Sequence, residues 1–171
     1  MACIFIRQAN AHDAANLPDI ERSAAKAFLP VAGLEWIASD TVMSAELHQI
    51  YIDEGTAWVA TTDKRCIGFV TTTQYKDALH IVELAVEDGH QGHGVGRRLL
   101  GSAREYAIDH DIPALTLTTF RDLPFNEHFY HKLGYRTLDE SELPKRLADI
   151  LEAEIENALP GDRRCAMRLA L

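Results

Sequence analysis

Residues Gln91 to Gly96 read Gln-Gly-His-Gly-Val-Gly, between the apolar run Ala78 to Val86 and a helix-like stretch beginning Arg97-Arg98-Leu99-Leu100. A strand that turns through three glycines into a helix leaves backbone N–H groups unpaired and aims the positive end of a helix dipole at the same place. Both features favour a bound pyrophosphate. The spacing excludes the two common nucleotide loops. A dinucleotide fold wants Gly-x-Gly-x-x-Gly early in a βαβ unit with an acid closing the next strand, and the threonine-rich run Ala114 to Phe120 has no such acid. A triphosphate loop wants Gly-Lys-Ser/Thr after four spacers, which the chain lacks.

Gln91, Gly94 and Gly96 do fit Gln/Arg-x-x-Gly-x-Gly, the pyrophosphate loop of the GNAT superfamily of coenzyme A-dependent N-acyltransferases. Upstream, Leu84-Ala85-Val86 resembles that family's cofactor-lining fourth strand. Downstream, Phe129-Tyr130-His131-Lys132-Leu133-Gly134-Tyr135 is similar to its Tyr-x-x-x-Gly-Phe/Tyr segment. The resemblance implies acetyl transfer from acetyl-coenzyme A to the primary amine of a small molecule or peptide. The cofactor set it implies is Leu84, Ala85, Val86, Gln91, Gly92, His93, Gly94, Val95, Gly96, Arg97 and Tyr130. Protein N-termini or lysines as acceptors, and a non-catalytic acyl-coenzyme A sensor or scaffold, are the alternatives.

Two proton transfers limit such a reaction. A lysine-like amine with a pKa near 10.4 costs roughly 4–5 kcal/mol to deprotonate at neutral pH, against about 2 kcal/mol of help for a leaving thiol. For the acid, the resemblance implies Tyr130, a neutral phenol at pH 7. Tyr135 matches an apolar position and reads as core. For the base, strand alternation puts His80, Val82, Leu84 and Val86 on one face and Ile81, Glu83, Ala85 and Glu87 on the other. Glu83 is an acid in an apolar strand, where burial would raise its pKa toward a useful value. His80 starts with a suitable pKa but lies farther from the loop; both stay candidates. The family's asparagine seven residues before the tyrosine is Leu123 here, so its role does not transfer to Asn126. In the family the acceptor is met by the first two helices and their loop, which offer Phe28, Leu29, Pro30 and Trp36 with Glu35 and Asp40. Glu83 and Thr118 complete the acceptor set. His90 and His93 lack a third ligand, so no metal is expected.

Composition narrows the partners. The chain has 171 residues, 47% of them hydrophobic, which suits a single domain over 1–171 with a full core. Net charge is −9, from 17 basic and 26 acidic side chains, which disfavours nucleic acid and suits a cationic acceptor. No apolar run is long enough to span a bilayer, and Met1 to Arg7 lacks the pattern of a secretion signal, so a cytoplasmic protein is expected. Family analogy allows a homodimer. Cys3, Cys66 and Cys165 lie in apolar segments without metal spacing and read as buried free thiols.

The elements that must position these residues follow from periodicity. Strands are expected over Cys3–Gln8, Thr56–Thr62, Cys66–Tyr75, Ala78–Glu87, Ala114–Thr119, Tyr135–Leu138 and Arg163–Leu169. Helices are expected from His12 to Phe28, Ser39 to Asp53 with Val42, Leu47 and Ile50 inward, Val95 to His110, Phe125 to Leu133 and Pro144 to Leu159. This order argues for an α/β (α+β) fold with helices on both faces of a mixed sheet. The resemblance makes that sheet mostly antiparallel, seven-stranded and splayed between strands 4 and 5.

Overall fold

The computed structural model describes residues 3–171. Met1 and Ala2, the start of the stretch read as lacking a secretion signal, lie outside the described residues. The elements are β1 (Phe5–Gln8), α1 (Leu17–Ala24), α2 (Ala45–Asp53), β2 (Ala57–Thr62), β3 (Arg65–Gln74), β4 (Leu79–Val86), α3 (Val95–Asp109), β5 (Ala114–Phe120), α4 (Glu127–Lys132), β6 (Arg136–Thr137), α5 (Lys145–Glu156) and β7 (Arg164–Ala170). The seven strands form one mixed sheet in the order β1-β2-β3-β4-β5-β7-β6. The chain forms two compact units, one comprising residues up to Gln74 with Val82–Tyr106, the other Tyr75–Ile81 with Ala107–Leu171.

In the first unit β1, β2 and β3 are antiparallel neighbours, with Phe5 opposite Thr61 and Ala57 opposite Thr71. The β2–β3 hairpin closes on Asp63 and Lys64, both at positive φ (48° and 67°), the conformation a two-residue hairpin turn demands. An ideal Cβ on Gly68 would meet the Ala85 carbonyl at 3.0 Å and the side chains of Val86 and Leu99 at 3.4 Å. Gly68 and Val86 therefore share the face toward α3, and Phe69 and Ala85 the face toward α1 and α2. On that second face Phe69 and Ala85 pack with Leu17, Ile20 and Ile52 in one apolar cluster.

Two expectations for this unit are corrected. The second helix starts at Ala45, because the Ser44 Oγ caps it by accepting from the Leu47 amide at 3.3 Å. Its buried residues are His48 and Ile52, while Leu47 and Ile50 are 41% and 52% exposed, so the helix faces opposite to its hydrophobic pattern. The first helix is also shorter than expected, as the chain tightens into 3₁₀ turns over Ala14–Asn16 and Ala25–Phe28. Among the thiols Cys165 is buried and Cys66 half-buried, but Cys3 is exposed, because it precedes β1 instead of lying within it.

In the second unit β5 and β7 pair antiparallel along their full lengths, and β6 adds a two-residue edge to β7. The parallel ladder of β4 with β5 has two pairs, Leu79 with Leu115 and His80 with Thr116. This is the seam at which a splay is expected. A smaller apolar cluster of Leu138, Leu147 and Ala166 seats α5. Among the described residues no helix is long and apolar enough to cross a membrane.

Candidate active site

The glycine loop belongs to the first unit. Gly89, Gly92 and Gly94 adopt φ of 85°, 76° and 80°, the left-handed region that side chains disfavour. A Cβ on any of them would meet nothing within 4 Å, so these glycines leave open space above the loop. Among the described residues the first amide after His90 with a close backbone acceptor is that of Arg98, which donates to the Gly94 carbonyl at 3.1 Å. The chain from Gln91 to Gly94 is a turn, and none of the seven N–H groups from Gln91 to Arg97 makes a close backbone hydrogen bond. Exposed amides converging at the start of a fifteen-residue helix form an anion cradle. The first turn of α3 carries no acid. Arg97 and Arg98 instead put two exposed cations at the positive end of the helix, an arrangement favourable only beside an anion.

The loop is braced from behind. The Gln91 side-chain amide donates to the Val86 carbonyl at 2.9 Å and the Ala24 carbonyl at 3.4 Å, and the Asp88 amide donates to the Ser23 Oγ at 3.0 Å. Gln91 therefore ties the end of α1 to the end of β4 through its side chain. Arg65 grips Glu87 with two hydrogen bonds of 2.7 and 2.8 Å, which holds that carboxyl below its ordinary pKa. A cavity of about 390 Å³ is lined by Ile6 of β1 and by Arg97, Arg98, Gly101, Ser102 and Glu105 of α3. It shares Arg97 with the expected cofactor set but not the glycine loop.

Glu83, Leu84 and Val86 are half-buried and Ala85 is buried. Glu83 shares the face of Ala85, beneath α1 and α2. Of the expected acceptor residues in this unit, Phe28 is half-buried while Leu29 and Trp36 are 57% and 39% exposed.

His80, Thr118 and Tyr130 belong to the second unit. His80 is buried, with Nδ1 3.0 Å from the Thr116 Oγ1 and 3.4 Å from a guanidinium nitrogen of Arg146. Arg146 also grips Asp77 and stacks 4.3 Å over the Tyr75 ring. Burial, reinforced by the Arg146 charge, pushes the His80 pKa down to about 4. Because guanidinium only donates, Nδ1 is the acceptor and His80 is the neutral Nε2–H tautomer. The Thr118 hydroxyl donates to Glu154 at 2.5 Å and accepts from Arg164 at 3.3 Å, so its one donor is spent inside the protein. The Tyr130 ring is buried between Phe129 and Tyr135, at centroid distances of 5.1 and 5.4 Å. Asn126 donates to the Thr119 Oγ1 at 2.9 Å and leaves its buried Oδ1 without a partner.

One pair escaped the sequence reading. His48 is fully buried, neither ring nitrogen has a hydrogen-bond partner, and its Nε2 lies 3.9 Å from a Glu21 carboxylate oxygen. Its only signal in the sequence was a histidine at the i−4 position from Ile52, hidden by the louder Leu47 and Ile50.

The profile of the Acetyltransferase (GNAT) family matches residues 21–135. Among solved structures, the PaiA N-acetyltransferase of Thermoplasma acidophilum in complex with coenzyme A aligns over 99% of both chains, with a TM-score of 0.76 at 18% identity. The N-acetylglutamate synthase of Neisseria gonorrhoeae, complexed with coenzyme A and N-acetyl-glutamate, aligns with all of this chain and 36% of its own, with a TM-score of 0.71 at 20% identity. An Arabidopsis thaliana protein in complex with the bisubstrate analogue CoA-Ac-MVNAL covers 98% of this chain and 99% of its own, with a TM-score of 0.67 at 15% identity. These three likenesses are likenesses of fold.

Proposed function

Because the chain belongs to the GNAT family of acetyltransferases, we propose that it acetylates a primary amine of a small molecule or peptide by direct attack on the thioester of acetyl-coenzyme A. The observation that carries this reading is the run of seven amides from Gln91 to Arg97 that make no close backbone hydrogen bond, at glycines that leave open space. Such a cradle fits a diphosphate, and Arg97 and Arg98 add the balancing charge. Acetyl-coenzyme A bound there would supply the activated acetyl group as a thioester. Backbone groups of Leu84 to Val86 orient the acyl arm and polarise its carbonyl, since N–H groups aimed at a developing oxyanion stabilise the transition state.

Glu83 takes the amine proton, directly or through water, as the acidic side chain of an otherwise apolar strand face. His80 is the poorer base, because its Nδ1 lone pair already meets Thr116 and Arg146. It sits where the β4–β5 ladder ends and holds that end in place. Tyr130 gives its phenolic proton to the departing thiolate, on a ring that flanking aromatics hold in one orientation.

Thiol release from acetyl-coenzyme A across a panel of amines and short peptides tests the reading. Tyr130→Phe should lower kcat by about 100-fold and leave coenzyme A affinity intact, and Glu83→Gln should do the same with a loss of the acidic limb of the pH profile. An absence of calorimetric heat with coenzyme A removes the proposal, and an unchanged rate removes the residue concerned.

A further inference from the structure

Glu21 is half-buried in the first unit, yet no lysine or arginine among the described residues lies within ion-pair distance of it. Its neighbour Arg22 is turned to Asp19 at 2.6 Å. Other carboxylates of this unit behave differently, since Asp13 is gripped by Arg7 at 2.8 and 2.9 Å and Glu87 by Arg65. One Glu21 oxygen accepts from the Met43 amide at 3.0 Å, which ties α1 to the segment before α2. Desolvation raises its pKa, outweighing the Met43 amide and the Arg22 charge, which lower it. His48 is fully buried behind it, with its Nε2 aimed at the carboxylate from beyond hydrogen-bond reach. Leaving two imidazole nitrogens unsatisfied is costly, and a side chain of the same size without them would fill the space more cheaply.

The pair is also well placed. Glu21 stands one turn before Ala24, whose carbonyl receives Gln91 of the glycine loop, and two residues before Ser23, which receives the Asp88 amide. The sheet face beneath α1 and α2 carries the buried Thr71, whose Oγ1 has no partner, and Glu83, which alternates with Ala85. Glu21 on α1 and Glu83 on the strand beneath it suit different tasks. A group that takes a proton from the reacting amine must not hold that amine as ammonium, because pairing an ammonium with a carboxylate raises its pKa and slows deprotonation. A second carboxylate without a cation suits a positive group that does not react.

We propose that Glu21, backed by His48, anchors a second cationic group of the acceptor, so that the enzyme prefers primary amines bearing another positive centre. This rests on the acetyltransferase reading above. Glu21 touches the acceptor, while His48 is a positioning residue: in its neutral form an Nε2–H can donate to the carboxylate once the cation draws the pair together.

The test compares 1,4-diaminobutane and 1,5-diaminopentane with 1-aminobutane and 1-aminopentane, by thiol release and by calorimetric binding to the coenzyme A-loaded protein. The wild type should favour the diamines by about tenfold or more in kcat/KM, the range of one charge-assisted contact. Glu21→Gln should abolish that preference, with the loss appearing in KM for the diamines. His48→Leu should shrink the preference without loss of stability. An equal response to both amine classes in the wild type, or a preference that survives Glu21→Gln, overturns the anchor while leaving acetyl transfer intact. If no amine releases thiol, diamine binding that Glu21→Gln abolishes supports the anchor and its absence overturns it, whereas failure of coenzyme A itself to bind sinks the acetyltransferase reading.

Discussion

The two compact units differ in how most of their buried polar side chains are used, although the Asn126 Oδ1 of the second is buried without a partner and Asp13 and Thr72 of the first are bonded. In the second, such groups are interlocked: His80 with Thr116 and Arg146, Arg164 with Glu154 and Thr118, and Glu127 with Thr137 and the Asp122 amide. In the first, the His48 nitrogens and the hydroxyls of Thr62 and Thr71 are buried without partners, and the loop amides make no close backbone hydrogen bond. A satisfied network specifies structure, and an unsatisfied one is tolerated where a ligand completes it. The second unit thus uses polarity to hold its shape, while the first keeps polar capacity in reserve beside its candidate site.

The comparison breaks most visibly at Arg164. Its guanidinium makes two 3.0 Å contacts to Glu154 and stacks 4.5 Å over Phe120, and the two side chains are only 10% and 18% exposed. Arg164→Met strands a mostly buried carboxylate, at a cost of about 3 kcal/mol and a fall in Tm of roughly 10 °C. Calorimetric melting checks this. A loss below about 1 kcal/mol would mean that the second unit is not held by its ion pairs.

Acid sharpens the contrast next. The pKa values of His48 and His80 both fall to about 4, His48 through burial alone and His80 through burial reinforced by Arg146. The unfolded chain, with histidines near 6.5, binds protons more readily than the native state. The stability these groups contribute is therefore complete above about pH 6.5 and is lost as pH falls toward about 4. Between about pH 7 and pH 5 each histidine should cost the protein about 2 kcal/mol, read from urea unfolding at the two pH values. Removing either histidine should remove roughly half of that slope.

What the sequence disclosed follows the same division. The element order was legible because each strand is a short apolar or β-branched run bounded by turns, and the loop because its glycines precede a helix, Gly92 and Gly94 at positive φ and Gly96 within the first turn of α3. The facing of α2 was not legible. A hydrophobic pattern scores Leu47 and Ile50 inward and His48 outward, and only packing against Phe69, whose ring meets the His48 ring edge-on at 4.8 Å, reverses this. The Gln91 brace was equally hidden, since a motif gives a residue type but not the carbonyls of Ala24 and Val86 that its amide reaches. For Thr118, too, only the fold reveals that Glu154 and Arg164 already use its hydroxyl.

The smallest effect makes the finest discrimination, because one substitution is asked of both units. His80→Leu deletes the acceptor that faces Thr116 and Arg146, leaves those donors unsatisfied, and should cost about 2 kcal/mol. His48→Leu deletes two nitrogens that bond to nothing, so the desolvation it relieves offsets the lost edge-on contact with Phe69. Stability should then stay level or rise by up to about 1 kcal/mol, while the preference for doubly charged amines weakens. Equal destabilisation by the two substitutions would show that His48 is held by its surroundings as firmly as His80. A neutral or stabilising His48→Leu with impaired recognition would mean that the histidine persists at the expense of stability for the sake of the acceptor.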